Sequence, residues 1–267
     1  MNIHSITPDV TVLSDAIEAP GLGFVPANAY VLHAAEPVVI DTGLSTPGKD
    51  FVTDLARVLD PADVRWIWLT HPDRDHTGGL WRLLDAAPHA RLVTTFIGMG
   101  LMSCEWEMPM DRIYFLNPGE HLDVGDRRLT GVRPPLFDNP ATVGVFDTGS
   151  GAFFSSDCFG APLPTAELAT SADARALGDL NPAQLLWASV DSPWIHLVDT
   201  EKYLSTVDPI RRLDPSGVYS THLPPALGMN DRLFDMAVTA PGAPAFVGPD
   251  QRALQAMLAQ FEPAAYQ

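Results

Sequence analysis

Short apolar runs and alternating apolar positions dominate the first third of the chain, with polar residues gathered between them. Val10–Leu13, Ala29–His33 and Val38–Asp41 read as strands, the third following the turn-like Ala34-Ala35-Glu36-Pro37. Phe51, Leu55, Val58 and Leu59 recur at helical spacing, which predicts a helix over 50–59. Val64–Thr70 (VRWIWLT) is β-branched and aromatic, the composition of a buried strand, and it runs straight into His71. The Gly78–Gly79 pair then opens a helix carrying Leu80, Leu83 and Leu84, and Arg91–Thr95 is a further strand with a helix after it.

Strand patterning returns in the middle: Ile113–Leu116, a turn at Asn117-Pro118-Gly119, a hairpin through Val124-Gly125-Asp126, then strands at 129–133, 141–147 and 152–156. The remainder reads mostly helical, at 182–191, 199–213 and 249–260, with one strand, Gly217–Ser220, ending before His222. Two β-rich halves, each capped by helices, predict a layered α/β sandwich. No repeat, low-complexity tract or linker divides it, so residues 1–267 are expected to form a single domain.

Composition narrows the class. Sixteen basic residues against 33 acidic ones give a net charge of −17, a surface that repels nucleic acid and anionic membranes. Every apolar run falls short of the ~18–20 residues of a membrane span, and the N-terminus lacks the basic start and apolar stretch of a signal peptide. A soluble, cytoplasmic protein is the expectation. Only two cysteines occur, Cys104 and Cys158, which excludes a disulfide framework, a cysteine-rich zinc finger and an iron–sulfur cluster. One disulfide between them is an alternative, but two buried thiols are the expectation. The Met- and Trp-rich stretch 97–110 (IGMGLMSCEWEMPM) is a candidate apolar pocket wall or homodimer face, or else ordinary packing.

The densest polar feature is Leu69-Thr70-His71-Pro72-Asp73-Arg74-Asp75-His76-Thr77-Gly78-Gly79. Within six residues it offers His71, Asp73, Asp75 and His76, all of them metal-ligand types, between a strand end and a helix start. Four donors on so short a tether can surround one or two ions with little extra ordering entropy. Asp157 and His222 likewise follow strands, where α/β sheets place their sites. The other histidines, His4, His33, His89, His121 and His196, lack ligand partners at useful spacing and are expected in packing or at the surface. No serine-hydrolase elbow and no nucleotide-binding glycine loop is present.

In these motifs the sequence resembles the metallo-β-lactamase superfamily: Asp41-Thr42-Gly43 at an early strand end, the 71–76 loop, Asp157 after a strand and His222 after the last one. The resemblance implies a four-layer αββα sandwich with a one- or two-metal site between its halves, and a role for Asp41 in orienting a ligating histidine or the loop. Hydrolases of that superfamily usually read H-x-H-x-D-H, whereas this chain has Asp73 at the second histidine. A carboxylate there is the habit of the flavodiiron and oxygen-binding di-iron branch, and Ser155-Ser156-Asp157-Cys158-Phe159-Gly160 resembles that branch's stretch around a bridging aspartate. The same comparison places Pro135 where a middle histidine ligand belongs and Asp138 at a following aspartate. One site would hold His71, Asp73 and Asp157, one ligand short and open to partial occupancy, while the other would hold Asp75, His76, Asp157 and His222. Asp138 or water could fill the gap; equally, Asp138 could cap the Asn139-Pro140 turn.

Three carboxylates, Asp73, Asp75 and Asp157, favour iron in a pair of divalent or trivalent ions, with zinc or manganese as alternatives. Three functions follow. A di-iron centre would bind or activate O2 or NO as an oxidoreductase or sensor, drawing electrons from a separate donor. A metallohydrolase would attack an ester, lactone or thioester through metal-bound hydroxide. A non-catalytic metal protein is the third. The ligands favour the first and the scaffold the second.

Overall fold

The computed structural model describes residues 1–46 and 48–261. One sheet is built in chain order from β1 (Asn2–Ser5), β2 (Val10–Ala19), β3 (Gly23–Leu32), β4 (Val38–Ile40), β5 (Trp66–Trp68), β6 (Arg91–Thr94) and β7 (Ile113–Phe115). Its first three pairings are antiparallel and its last three parallel. The second sheet contains β8 (His121–Asp123), β9 (Arg128–Val132), β10 (Gly144–Asp147), β11 (Ala152–Phe154), β12 (Gly217–Tyr219) and β13 (Ala226–Leu227), with only β11–β12 parallel.

Alternation along the strands divides the apolar residues among three layers. Val12, Tyr30, Ile40 and Trp68 from the first sheet meet Leu129, Val145, Phe154 and Tyr219 from the second in the inter-sheet core. Their chain neighbours Leu13, Val31, Val39 and Ile67 face outward, onto α1 (Phe51–Leu55) and onto Leu80, Leu83 and Leu84. On the far side Phe153 and Val218 pack against Tyr203, Val207, Leu233 and Phe234. The result is the expected four-layer αββα sandwich of the metallo-β-lactamase fold.

The helices that complete the outer layers, in chain order after α1, are α2 (Arg74–Thr77), α3 (Leu80–Ala86), α4 (Phe96–Met102), α5 (Ala166–Ala169), α6 (Asn181–Asp191), α7 (Thr200–Arg211), α8 (Asn230–Thr239) and α9 (Gln251–Phe261). None is long and apolar enough to cross a membrane.

Several elements depart from the hydropathy pattern. β2 and β3 form a hairpin of two ten-residue strands, far longer than the two strands expected, which the polar positions Ser14, Asp15, Glu18 and Asn28 and Pro26 had masked in the apolar periodicity. Pro26 is tolerated because β4 pairs only with Tyr30–Leu32, which leaves Pro26 beyond that ladder. The helix expected over 50–59 stops at Leu55 and continues as turns. α8 was not anticipated: its apolar residues Leu233, Phe234, Met236 and Ala237 share one face, but no side chain caps its start. Cys158 is buried as expected; Cys104 is exposed instead, at the frayed end of α4. Of the 97–110 stretch, Met102 is buried, while Ile97, Leu101 and Met110 are exposed.

Two glycines let the polar loop after β5 sit close to the sheet. A Cβ on Gly78 would lie 2.2 Å from the backbone of Leu44 and Ser45, and one on Gly79 would lie 2.6 Å from Cβ of Phe51. Gly78→Ala is therefore expected to destabilise the protein by about 1–3 kcal/mol, read as a lower urea midpoint; an unchanged midpoint would show that the loop has room to spare.

Candidate metal centre

β5 ends before Leu69 and Thr70, and the chain then turns through His71, Pro72 and Asp73 into the single turn of α2. The Asp41-Thr42-Gly43 segment after β4 clamps this loop from the side. The Thr42 backbone N–H and hydroxyl both donate to the His76 carbonyl, at 2.8 and 2.7 Å, and the Gly78 N–H donates to the Gly43 carbonyl at 2.9 Å. Asp41 itself adopts a left-handed backbone (φ 57°) and is buried. Its carboxylate accepts from the Thr70 N–H and hydroxyl, both at 2.8 Å, and from His76 Nδ1 at 2.9 Å.

Each of three buried imidazoles is thus held by its Nδ1. His76 donates to Asp41. His222 donates to the Pro26 carbonyl at 2.7 Å. His71 donates to Ser156 Oγ at 3.1 Å, and the Ser156 hydroxyl in turn donates to Thr70 Oγ1 at 2.9 Å. This network assigns the tautomers and leaves every Nε2 pointing inward.

All three point at Asp157. Its Oδ2 lies 3.3 Å from His71 Nε2, and its Oδ1 lies 3.0 Å from His76 Nε2 and 3.2 Å from His222 Nε2. Asp75 adds a carboxylate 3.4 Å from His222 Nε2 and 3.8 Å from His76 Nε2. On the other side Asp138 Oδ1 and Asp73 Oδ2 lie 3.7 and 3.8 Å from His71 Nε2. Every candidate expected from the sequence therefore comes together, Asp138 included. The 139–140 turn is capped instead by Asn139, which accepts from the Ala141 N–H and donates from its amide to Asp73 Oδ1 at 2.9 Å. Pro135 is buried and lines an apolar groove of about 780 Å³, with Phe137, Trp194 and Tyr203, to which none of these donors contributes.

The second half of the centre rests on tight backbone geometry. Ser156 and Phe159 both have positive φ, at 54° and 72°, which swings Asp157 inward between them. Trp187 Nε1 donates to the Asp157 carbonyl at 3.0 Å, and its ring packs 4.6 Å from that of His222. A side chain at Gly160 would lie 2.4 Å from Trp187 Nε1 and 2.8 Å from His222 Cβ, so only glycine fits.

The donors form mutually close sets, each with ligand atoms within 4.8 Å of one another: His71, His76 and Asp157; Asp75, His76 and His222; His71, Asp73 and Asp138. A further set joins Asp138 and Asp157 to Asp191, the last residue of α6. Sequence reasoning missed Asp191, for no local spacing marks it; an acid ending a helix with no base in its last turn was the one available hint.

Charge is unbalanced here in a way that suits a cation. His71 Nε2, His76 Nε2 and Asp157 Oδ1 are buried without a hydrogen-bond partner, although they lie close to one another. Nitrogens and carboxylate oxygens crowded this closely compete for the same few protons, and a shared metal ion satisfies them together. Two carboxylates at about 4.8 Å repel by roughly 3–4 kcal/mol in a protein-like dielectric. Burial, with Asp157 and Asp73 beside it, pushes the Asp138 carboxyl up to about 7. Burial, with Asp157 and Asp138, likewise raises Asp191 well above the usual carboxylate range. Burial opposes the charged form of His222, but Asp157 and Asp75 outweigh it and bring its pKa to about 9. Burial also opposes the ionised Asp157, yet His71, His76 and His222 outweigh it and hold its carboxyl well below the usual range. His71, buried and beside His76, is pushed below the ordinary histidine value.

Comparison with known proteins gives the family and the fold. The flavorubredoxin of Klebsiella pneumoniae subsp. pneumoniae, named an anaerobic nitric oxide reductase, is 28% identical over half of this chain, a stretch that spans 28% of that relative. The rubredoxin oxygen:oxidoreductase of Desulfovibrio gigas superposes with a TM-score of 0.75 at 17% identity, over 90% of this chain and 61% of that one. A variant of the flavo di-iron protein of Thermotoga maritima gives 0.76 at 19%, over 93% and 63%. The chain thus spans less than two thirds of these relatives. The description of the metallo-beta-lactamase superfamily matches residues 22–222, a span that begins before Asp41 and ends at His222. By that match, and by the αββα sandwich that carries it, the chain belongs to the metallo-beta-lactamase superfamily.

Proposed function

We propose that this chain is the metal-binding unit of a non-haem di-iron oxidoreductase that acts on O2 or NO and takes its electrons from a separate donor. The observation that carries the reading is the Asp157 carboxylate, whose two oxygens are divided between His71 on one side and His76 with His222 on the other. In this reading His71, Asp73, Asp138 and Asp157 hold the first ion, and Asp75, His76, Asp157 and His222 hold the second. The buried nitrogens and oxygen without partners fit such a pair. Iron bound there would supply one-electron redox change and open positions for a diatomic ligand.

The chain's own residues prepare that chemistry. Asp41, Ser156 and the Pro26 carbonyl lock the three imidazoles before any ion arrives, so little ordering remains to be done on binding. Trp187 covers His222 and keeps water from that face. Asp73 and Asp138, with side chains 43% and 29% exposed, leave the first site the more open one, the side from which a small ligand enters. The carboxylates stabilise the hard ferric state of an iron pair, which favours iron over zinc. The relatives named for nitric oxide and oxygen reduction favour a redox reaction over hydrolysis.

Protein purified without added metal is expected to carry two irons per chain, with a visible spectrum that bleaches on reduction and returns in air, and to consume O2 or NO when given a chemical reductant. Zinc in their place, with turnover of lactones or thioesters, would overturn the proposal. Asp157→Ala is expected to strip most bound metal while Pro135→Ala retains it; equal retention in both, measured by elemental analysis, would count against the ligand assignment.

Protons and metal compete for the same atoms. With its pKa at about 9, His222 keeps a proton at neutral pH in the metal-free protein, so affinity should rise with pH until about 9. Stability of the metal-free protein should run the other way. The contribution of His222 is complete below its ordinary value of 6.5 and lost as pH rises through about 9. Urea unfolding and metal titration across pH 6–10 check both trends, and parallel slopes would contradict them.

A further inference from the structure

Asp191 has no local reason to be an aspartate. It ends α6, where the helix dipole disfavours an acid, and no basic residue lies in that last turn. Its side chain accepts one hydrogen bond, from Ser192 Oγ to Oδ2 at 3.1 Å, and Oδ1 accepts none among the described residues. No described Lys, Arg or His pairs with it. Instead it meets Asp138, from the loop after β9, and Asp157, from the turn after β11, with one oxygen of each within 4.8 Å of the others. Three chain segments thus bring three carboxyl groups together.

His71 marks what resolves the conflict. Its Nε2 is 99% shielded with its residue, has no hydrogen-bond partner, and lies 3.7 Å from Asp138 and 3.3 Å from Asp157. His71 and Asp191 each approach the same two carboxylates, Asp138 and Asp157, so a cation held by that pair gives the imidazole a partner and offsets the repulsion among the carboxylates.

We propose that Asp191 is an oxygen ligand of the first ion, which completes a site of one imidazole, His71, and four carboxylates, Asp73, Asp138, Asp157 and Asp191. The inference rests on the two-ion reading above and deepens it. The second site keeps two imidazoles and two carboxylates, so the two positions differ in kind: the first selects a hard, oxygen-preferring ion, and the second accepts a borderline one. The oxygen that Asp191 supplies offsets the nitrogen that Pro135 cannot provide.

Metal-free protein titrated with Mn2+, by calorimetry and electron paramagnetic resonance, tests this apart from activity. The unsubstituted chain should bind two ions with the signal of a coupled pair. Asp191→Asn should weaken one binding event at least about tenfold, the smallest loss expected even for a group that only steadies a ligand. The other event should be unchanged, and the coupled signal should give way to that of an isolated ion. Asp191→His, which restores a donor as nitrogen, should recover the second ion with a shift in preference from Mn2+ toward Zn2+. Asp191→Ser is read alongside, with circular dichroism to establish the fold of each variant. Retention of both affinities and of the coupled signal in folded Asp191→Asn or Asp191→Ser overturns the role of Asp191 and leaves the two-ion reading standing. Failure of the unsubstituted chain to bind any ion overturns both.

Discussion

One buried carboxylate, shared among three buried imidazoles, sets the terms for everything around it. Asp157 is drawn in by the left-handed backbone of Ser156 and Phe159 and is met by His71, His76 and His222 at 3.0–3.3 Å. Such a cluster is unfavourable in isolation, since burial penalises each charge and leaves His71 Nε2, His76 Nε2 and Asp157 Oδ1 without a well-formed hydrogen bond. The fold tolerates it because elements from both sheets impose it. The 71–76 loop leaves the first sheet at β5, Asp157 leaves the second at β11, and His222 follows β12.

The groups behind the donors explain how that imposition is kept. Asp41 holds His76 and Thr70 together, Thr70 receives Ser156, and Ser156 receives His71, so one chain of hydrogen bonds links both halves of the sandwich. His222 is tied to the long hairpin through Pro26, while Asn28 on the same strand donates to the carbonyls of Ser220 and Leu223. Networks of this kind are worth more than their pairs, because removal of one member leaves others buried and unpaired. Close backbone approach at Gly78 and Gly160 supplies the remaining precision.

The two sides of Asp157 are not alike. One is rich in imidazole and shielded by Trp187; the other is rich in carboxylate and partly open to solvent. In the proposed two-ion reading, such an asymmetry would hold one ion firmly and leave the other more exposed to small ligands. Pro135 belongs to the same asymmetry. Its segment has turned toward an apolar groove, and the neighbouring Asp138 faces His71.

The layered fold was legible in the chain, because strands such as Val64–Thr70 and helices such as 182–191 carry their periodicity locally, and periodicity is what burial on one face requires. The same holds for the 71–76 loop, whose donors are crowded by sequence alone. The long hairpin was hidden by Pro26 and by the polar residues Ser14, Asp15, Glu18 and Asn28 along its strands, and α8 by its uncapped start. What no local pattern could show is which distant groups share a space. Asp138 could as well have capped its own turn, and Asp191 carried no motif at all. Their meeting with Asp157 depends on how the second sheet and α6 pack, a long-range outcome of core burial, and only the folded chain expresses it.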